Sequence, residues 1–243
     1  MLSKSQVKYI QSLGQKKCRD EEGLFIAEGS KIIAEFLADK NCVIKHLYAV
    51  KEWIIENEIE TNCEITEVAQ EELERISQLK TPNKVLVVTE KIKWTGEPEI
   101  KNKISLALDT IQDPGNMGTI IRLADWFGIK QIFCSRDCAD VYNPKVVQAT
   151  MGSIARVRIE QTDLEIFLKK NNEIQTYAAV LGGEDVSKLE KISEGIIIIG
   201  NESKGISNAL LTNVINRISI PGKGKAESLN AAVATGIILS HLV

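Results

Sequence analysis

Apolar and polar positions along this chain fall into two periods. Four consecutive β-branched residues, Ile196 to Ile199, stand between Gly195 and Gly200. Such a run without a polar face predicts a strand buried on both sides in a parallel sheet. Ile218-Ser-Ile220 repeats the pattern in shorter form and ends at Pro221. An apolar helix is predicted to open at Leu229, with Ser228 as its cap. Upstream, Ile104 to Asp109 predicts a strand, Asp113-Pro-Gly-Asn116 a turn, and Ile120, Ile121, Ala124 and Phe127 one face of a helix closed by Gly128. Lys130 to Cys134, Ala155 to Ile159 and Thr176 to Val180 predict further strands, and Asn143-Pro144 starts a helix ending near Gly152. Strand, glycine-rich loop and helix recur, which predicts an α/β domain with a parallel sheet. Its loops gather on one edge, where open sheets place their ligands.

The first ninety residues read differently. Ser3 to Leu13 predicts a short helix capped by Ser3 or Ser5, and Gly14 to Glu22 a charged loop. Leu24 to Ala27, Val43 to Val50, Glu64 to Thr66 and Val85 to Val88 predict strands. Between them lie helical patterns at Ile32, Ile33, Phe36 and Leu37, at Trp53 to Ile55, and at Val68, Leu73, Ile76 and Leu79. This is a small α/β unit without a catalytic constellation. Thr89 to Lys103 is charged and contains Gly96 and Pro98, the composition of a linker. The expected division is a first domain over 1–95 and a second over 96–243.

Composition narrows the chemistry. A hydrophobic fraction of 44% and a charged fraction of 26% describe an ordinary globular protein. No apolar stretch reaches the ~18 residues that a membrane helix needs. The N-terminus has no apolar signal region and the five cysteines are scattered, so reduced thiols and a cytoplasmic location are expected. Only Cys134 and Cys138 lie close together, and with two histidines in the chain no metal is expected. The net charge of −3 argues against a protein that coats nucleic acid. Locally, Lys4, Lys8, Lys16, Lys17 and Arg19 fall within nineteen residues that hold no acidic residue. They could form a wall of a groove for a phosphate backbone.

The dinucleotide fingerprint Gly-x-Gly-x-x-Gly is absent after the first strand of the second domain. Gly222-Lys-Gly224-Lys lacks the spacing of an ATP phosphate loop, and no Gly-x-Ser-x-Gly elbow occurs. What remains is a set of glycine backbones with Asn116, Arg122, Glu202, Ser228 and Asn230. These groups suit a polar substrate and an amphipathic cofactor without metal or covalent catalysis. Each also has a plainer explanation: Asn116 a turn, Arg122 a surface ion pair, Glu202 and Ser228 helix caps.

Three segments in order carry a family resemblance: Asp113-Pro-Gly-Asn116 to Arg122, Ile199-Gly200-Asn201-Glu202 to Ser207, and Ile220-Pro221 to Glu227-Ser228-Leu229-Asn230. With Asn143 to Gly152 between them, residues 104–243 resemble the SpoU (TrmH) branch of the SPOUT RNA 2′-O-ribose methyltransferases. Residues 1–90 look like the small ribosomal-protein-like domain with which many members recognise RNA. The resemblance implies a C-terminal SPOUT-type parallel-sheet domain with a deep trefoil knot, a homodimer, and S-adenosylmethionine bent into the knot. Gly200, Ile220 and Leu229 match its contacts, with Leu181 and Gly182 contributed by the loop after Val180. A ribose 2′-hydroxyl would attack the methyl group. Arg122 matches the residue closest to that step, and because a guanidinium stays protonated with a pKa above ~12, it is expected to bind the neighbouring phosphate and orient the hydroxyl. Asn116 and Asn230 would hydrogen-bond ribose or cofactor, Glu202 would position Arg122 or the nucleotide, and Ser228 would touch substrate. The chain departs from many members at Ser203, where glycine is common, and at Lys223 and Lys225, which make the third loop basic. Three readings stay open: ribosomal RNA as substrate, favoured by the N-terminal domain; transfer RNA; and a non-catalytic RNA-binding or ribosome-assembly protein.

Overall fold

The computed structural model describes residues 1–57 and 63–243. In chain order its helices and strands are α1 (Lys4–Ser12), α2 (Lys16–Glu22), β1 (Leu24–Glu28), α3 (Ser30–Ala38), β2 (Ile44–Ala49), α4 (Lys51–Asn57), β3 (Glu64–Glu67), α5 (Gln70–Ile76) and β4 (Val85–Glu90). They continue with β5 (Ile104–Leu108), α6 (Pro114–Trp126), β6 (Gln131–Cys134), α7 (Pro144–Thr150), β7 (Arg158–Gln161), α8 (Leu164–Lys170), β8 (Thr176–Asp185), β9 (Gly195–Ile199), α9 (Asn208–Leu211), β10 (Asn216–Ser219) and α10 (Ala231–Leu242).

Two compact units result: Met1–Trp94 with Asp140–Arg156, and Thr95–Ala139 with Val157–Val243. In the first, β4 lies between β1 and β2, antiparallel to both, and β3 adds parallel to β2. Ile10, Ile26, Leu73, Ile76 and Leu86 form one fully buried cluster of its core. Ser3 caps α1 reciprocally: its Oγ accepts from Gln6 N at 3.2 Å, and Gln6 Oε1 accepts from Ser3 N at 2.9 Å.

Residues 16–22 form a helix where a charged loop was expected. The reason is tertiary. Arg19 is buried, and its guanidinium donates to Leu13 O and Gly14 O at 2.8 Å each and pairs with Asp140 Oδ2 at 2.5 Å. Arg19 therefore leaves the basic face, on which Lys4, Lys8, Lys16 and Lys17 remain exposed. The same ion pair explains why the units do not follow the linear division near residue 95. Residues 140–156 join the first unit through Asp140, through the Tyr142 hydroxyl that accepts from Ile92 N at 3.0 Å, and through an Arg156–Glu35 ion pair at 2.5 Å.

The second unit is built on a six-stranded sheet in the order β10-β8-β9-β5-β6-β7, parallel throughout. β9 lies inside the sheet and all its residues are buried, as its isoleucine run predicts. Three boundaries differ from expectation, one of them the end of β8, which runs to Asp185 rather than Val180. The strand expected over 155–159 starts only at Arg158, because Met151 and Gly152 turn the chain through positive φ (51° and 93°) into a short 3-10 turn at Ser153–Ala155. Helix α10 begins at Ala231 rather than Leu229. Its cap is Asn230, whose Oδ1 accepts from Ala232 N and Val233 N at 3.0 and 3.2 Å, while Ser228 is exposed and caps nothing.

Candidate active site at the carboxyl edge of the parallel sheet

Three chain segments meet through two side-chain hydrogen bonds in the second unit. Asp113 caps α6 by accepting from Asn116 N at 2.8 Å, and Pro114 occupies the first helical position, where a missing N–H costs nothing. This turns the Asn116 side chain, only 9% exposed, inward. Its Nδ2 donates to Glu202 Oε1, in the loop after β9, and its Oδ1 accepts from Asn230 Nδ2 at 2.8 Å. Asn230 in turn caps α10, which packs along α6. The two helix starts and the β9 loop are thus tied at Asn116. Glu202, expected to position Arg122 or the nucleotide, is bonded within the chain to Asn116.

Arg122 lies within α6, exposed, with no ion pair or side-chain hydrogen bond among the described residues. Its guanidinium, unpaired on the exposed side of the same helix that carries Asn116, can receive an anion. Ser228 belongs to a stretch, Pro221 to Asn230, in which every residue is exposed.

β9, β8 and β10 are neighbours in the sheet; Leu181 and Gly182, expected in a loop after Val180, lie instead within β8, where its pairing with β10 lapses. Between Ala178 and Glu184 the pairing of β8 with β10 is interrupted, and the intervening residues bulge outward with Leu181 83% exposed. Gly183 sits where a Cβ would lie 2.7 Å from the Ile218 main chain, and Ser219 Oγ donates to Gly183 O at 2.7 Å. Gly200 is equally constrained, since a Cβ there would strike the main chain of Gly205 and Ile206. Close backbone packing alone accounts for these two glycines. Residues 220–229 make no hydrogen bond among those of the described residues, so their peptide groups are available. Main-chain donors and acceptors beside the half-exposed apolar side chains of Leu229 and Ile220 fit a flat, amphipathic ligand such as S-adenosylmethionine.

Three residues that the sequence did not single out stand beneath the network: Asp109, Thr110 and Asn201. Cys138 lies beside them, its Sγ accepting from Ile111 N and donating to Leu108 O, each at 3.3 Å. The neighbouring Cys134 thiol, with the Ser135 hydroxyl and the Ile111 N–H, favours the Cys138 thiolate and lowers its pKa, while the buried Cys134 is raised. Among the described residues no group of three or more His, Cys, Asp or Glu is placed to hold a metal ion.

Residues 103–240 match the SpoU rRNA Methylase family. The chain belongs to this family. Residues 4–87 match the MRM3-like substrate binding domain. Over 242 residues the SpoU chain is 28% identical to the 23S rRNA (guanosine(2553)-2′-O)-methyltransferase RlmP of Bacillus subtilis, covering 97% of this chain and 95% of that one. Among solved structures, a putative RNA methyltransferase of the TrmH family from Porphyromonas gingivalis superposes with a TM-score of 0.87 at 34% identity, covering 99% and 98% of the two chains. An AdoMet-bound rRNA methyltransferase from Sinorhizobium meliloti gives 0.85 at 31% identity, covering 99% and 95%. The SpoU fold expected from the sequence, an α/β chain ending in a parallel-sheet domain, is therefore the fold observed.

Proposed function

We propose that this chain transfers a methyl group from S-adenosylmethionine to a ribose 2′-hydroxyl of ribosomal RNA. The observation that carries the reading is the joining of Asn116, Glu202 and Asn230, with Arg122 unpaired further along the helix of Asn116, within a chain of the SpoU family. Full-length similarity to a protein named as a 23S rRNA 2′-O-methyltransferase favours ribosomal over transfer RNA. The paired amides and carboxylate argue against a protein that only binds RNA, which has no need of them together.

When bound, S-adenosylmethionine supplies an electrophilic methyl group. Gly200, Ile220 and Leu229, with Leu181 and Gly182, would hold it through main-chain groups and apolar contact. Arg122 binds the phosphate next to the reacting ribose and draws its 2′-hydroxyl into line. A neutral hydroxyl is a weak nucleophile, and a guanidinium cannot serve as its base. The proton passes to phosphate or water. Asn116 and Asn230, fixed by their mutual bond and by Glu202, orient the ribose, so alignment provides much of the acceleration. Ser228, in the exposed loop, contacts the substrate.

Residues 1–95, which make up most of the first unit, serve as the RNA-binding domain, with Lys4, Lys8, Lys16 and Lys17 offering charge to the backbone. The second carries catalysis and the trefoil knot of the family. The active form is a homodimer, in which Trp126, 81% exposed at the end of α6, and Val233, 51% exposed on α10, would be covered. The location is cytoplasmic. Among the described residues no helix is long and apolar enough to cross a membrane.

Protein incubated with methyl-labelled S-adenosylmethionine and either unmodified ribosomal RNA or unmodified transfer RNA tests the reading after digestion to nucleosides. Label on a ribose of ribosomal RNA is expected. Label confined to transfer RNA would overturn the substrate, and absence of cofactor binding would overturn the chemistry.

A further inference from the structure

Thr110 adopts φ 59°, a left-handed conformation that a β-branched side chain resists. It sits between the end of β5 and the start of α6, and three polar contacts hold it there. Its N–H donates to Ser135 Oγ at 2.9 Å, its carbonyl accepts from Asn201 Nδ2 at 2.9 Å, and its hydroxyl donates to Asp109 Oδ1 at 3.1 Å. Asp109 is buried, and its other oxygen accepts from Ser207 N at 2.8 Å, beyond the far end of the β9 loop. Within that loop the Asn201 Oδ1 accepts from Ser203 N and Lys204 N at 2.9 and 3.1 Å, and its main chain pairs with Gly205 in both directions. Asn201 immediately precedes Glu202, and Thr110 stands three residues before Asp113, the cap that orients Asn116. The Asn201–Thr110 bond therefore joins the same two loops as the Glu202–Asn116 bond above it.

We infer that Asn201, acting with Asp109 and Thr110, is a positioning residue that sets the separation of the Glu202 and Asn116 loops for ribose methylation. It touches neither substrate nor cofactor in this account. Of the three bonds that hold this left-handed residue, the one from Asn201 crosses to the β9 loop, and its geometric effect is to fix where α6 begins relative to Glu202. The inference rests on the proposed ribose methylation, and the test separates the two.

Asn201→Asp keeps the oxygen that accepts from Ser203 and Lys204 but replaces the donor to Thr110 O by a second acceptor. The expected result is a fall in kcat of about 100-fold, with KM for RNA and Kd for S-adenosylmethionine within about threefold of the unaltered chain. A merely structural role would instead move affinity, turnover and melting temperature together, and that pattern would overturn the inference. Ser135→Ala removes the partner of the Thr110 N–H, together with the 3.6 Å contact to Cys138 Sγ. It is expected to lower kcat about tenfold with the same split. Both variants retaining kcat within about twofold would contradict the proposal. A second readout needs no turnover. The side-chain amide of Asn116, followed by NMR in asparagine-labelled protein, is expected to show two well-separated, slowly exchanging protons that merge in Asn201→Asp. If the unaltered chain methylates no ribose, the ribose reading fails, and this resonance alone decides the inference: an unchanged signal overturns it, a collapsed one supports it.

Discussion

Asn116, Glu202 and Asn230 have each found a partner within the chain, whereas Arg122, Ser228 and the loop of Lys223 and Lys225 stand exposed with none among the described residues. The two groups lie in the same unit and came from the same family segments, yet the chain treats them oppositely. The Asn116 amide, buried and satisfied, cannot be drawn away without leaving a buried polar atom unpaired, so it keeps its geometry and that of its two partners when ligands arrive. Exposed groups hold no internal bond that an incoming phosphate or cofactor would have to break. The inner group sets positions, and the outer group makes the contacts.

The sharpest way to break this contrast is to remove the cation of the outer group. Arg122→Ala is expected to lower methyl transfer about 1000-fold, with cofactor affinity unchanged by calorimetry, since no internal contact of Arg122 is lost. Retained turnover would remove Arg122 from the mechanism. Asn116→Ala attacks the inner group and should behave differently. Turnover is expected to fall about 100-fold, accompanied by a loss of about 1–3 kcal/mol in stability as Glu202 and Asn230 lose their partner. Thermal melting of the two variants therefore distinguishes the groups: Asn116→Ala melts lower, Arg122→Ala does not.

Surface changes sharpen the comparison further. The pair Trp126→Lys and Val233→Glu is expected to halve the sedimenting mass and to reduce activity about tenfold. A doubly substituted chain that remains a dimer would place the interface elsewhere.

Much of the architecture was written in local pattern. The isoleucine run of β9 had one reasonable reading, and so did the Asp113-Pro turn that starts α6. Helix α2 was not legible, because Lys16-Lys-Cys-Arg-Asp-Glu-Glu22 has no apolar period and its one inward residue is the arginine that pairs with Asp140. The helix over 164–170 was also not anticipated. Ser228 and Asn230 are both good caps by type, and only the tertiary bond from Asn230 to Asn116 shows which of them is used. In the candidate site, identity was legible and partnership was not. Glu202 was expected to position Arg122 or the nucleotide, and its bond to Asn116, across 86 residues of sequence, could not be read from local pattern. Thr110 in a left-handed turn has no sequence signal at all, since nothing in Asp-Thr-Ile announces a conformation that threonine disfavours.

The smallest expected effect lies in the first unit, away from this contrast. His46 hydrogen-bonds Thr66 Oγ1 through Nε2 at 2.7 Å, and burial lowers its pKa from 6.5 despite the opposing pull of Glu64. The unfolded chain then takes up the proton first as pH falls. Stability from this group is present above the unfolded pKa and is lost as pH drops through the folded one. Urea midpoints measured at pH 7 and pH 5 should differ less in His46→Gln than in the unaltered protein, and an equal difference would contradict the assignment.

The central claim is that the chain methylates a 2′-hydroxyl, and alkaline hydrolysis reads that atom directly, because strand cleavage needs the free hydroxyl. Unmodified ribosomal RNA, treated with the protein and S-adenosylmethionine and then partially hydrolysed, is expected to show a single protected linkage that is absent without cofactor and absent with Arg122→Ala. A complete ladder from RNA that has nevertheless taken up methyl groups would put the modification on a base, and the account of Arg122, Asn116 and Asn230 around a ribose would be wrong.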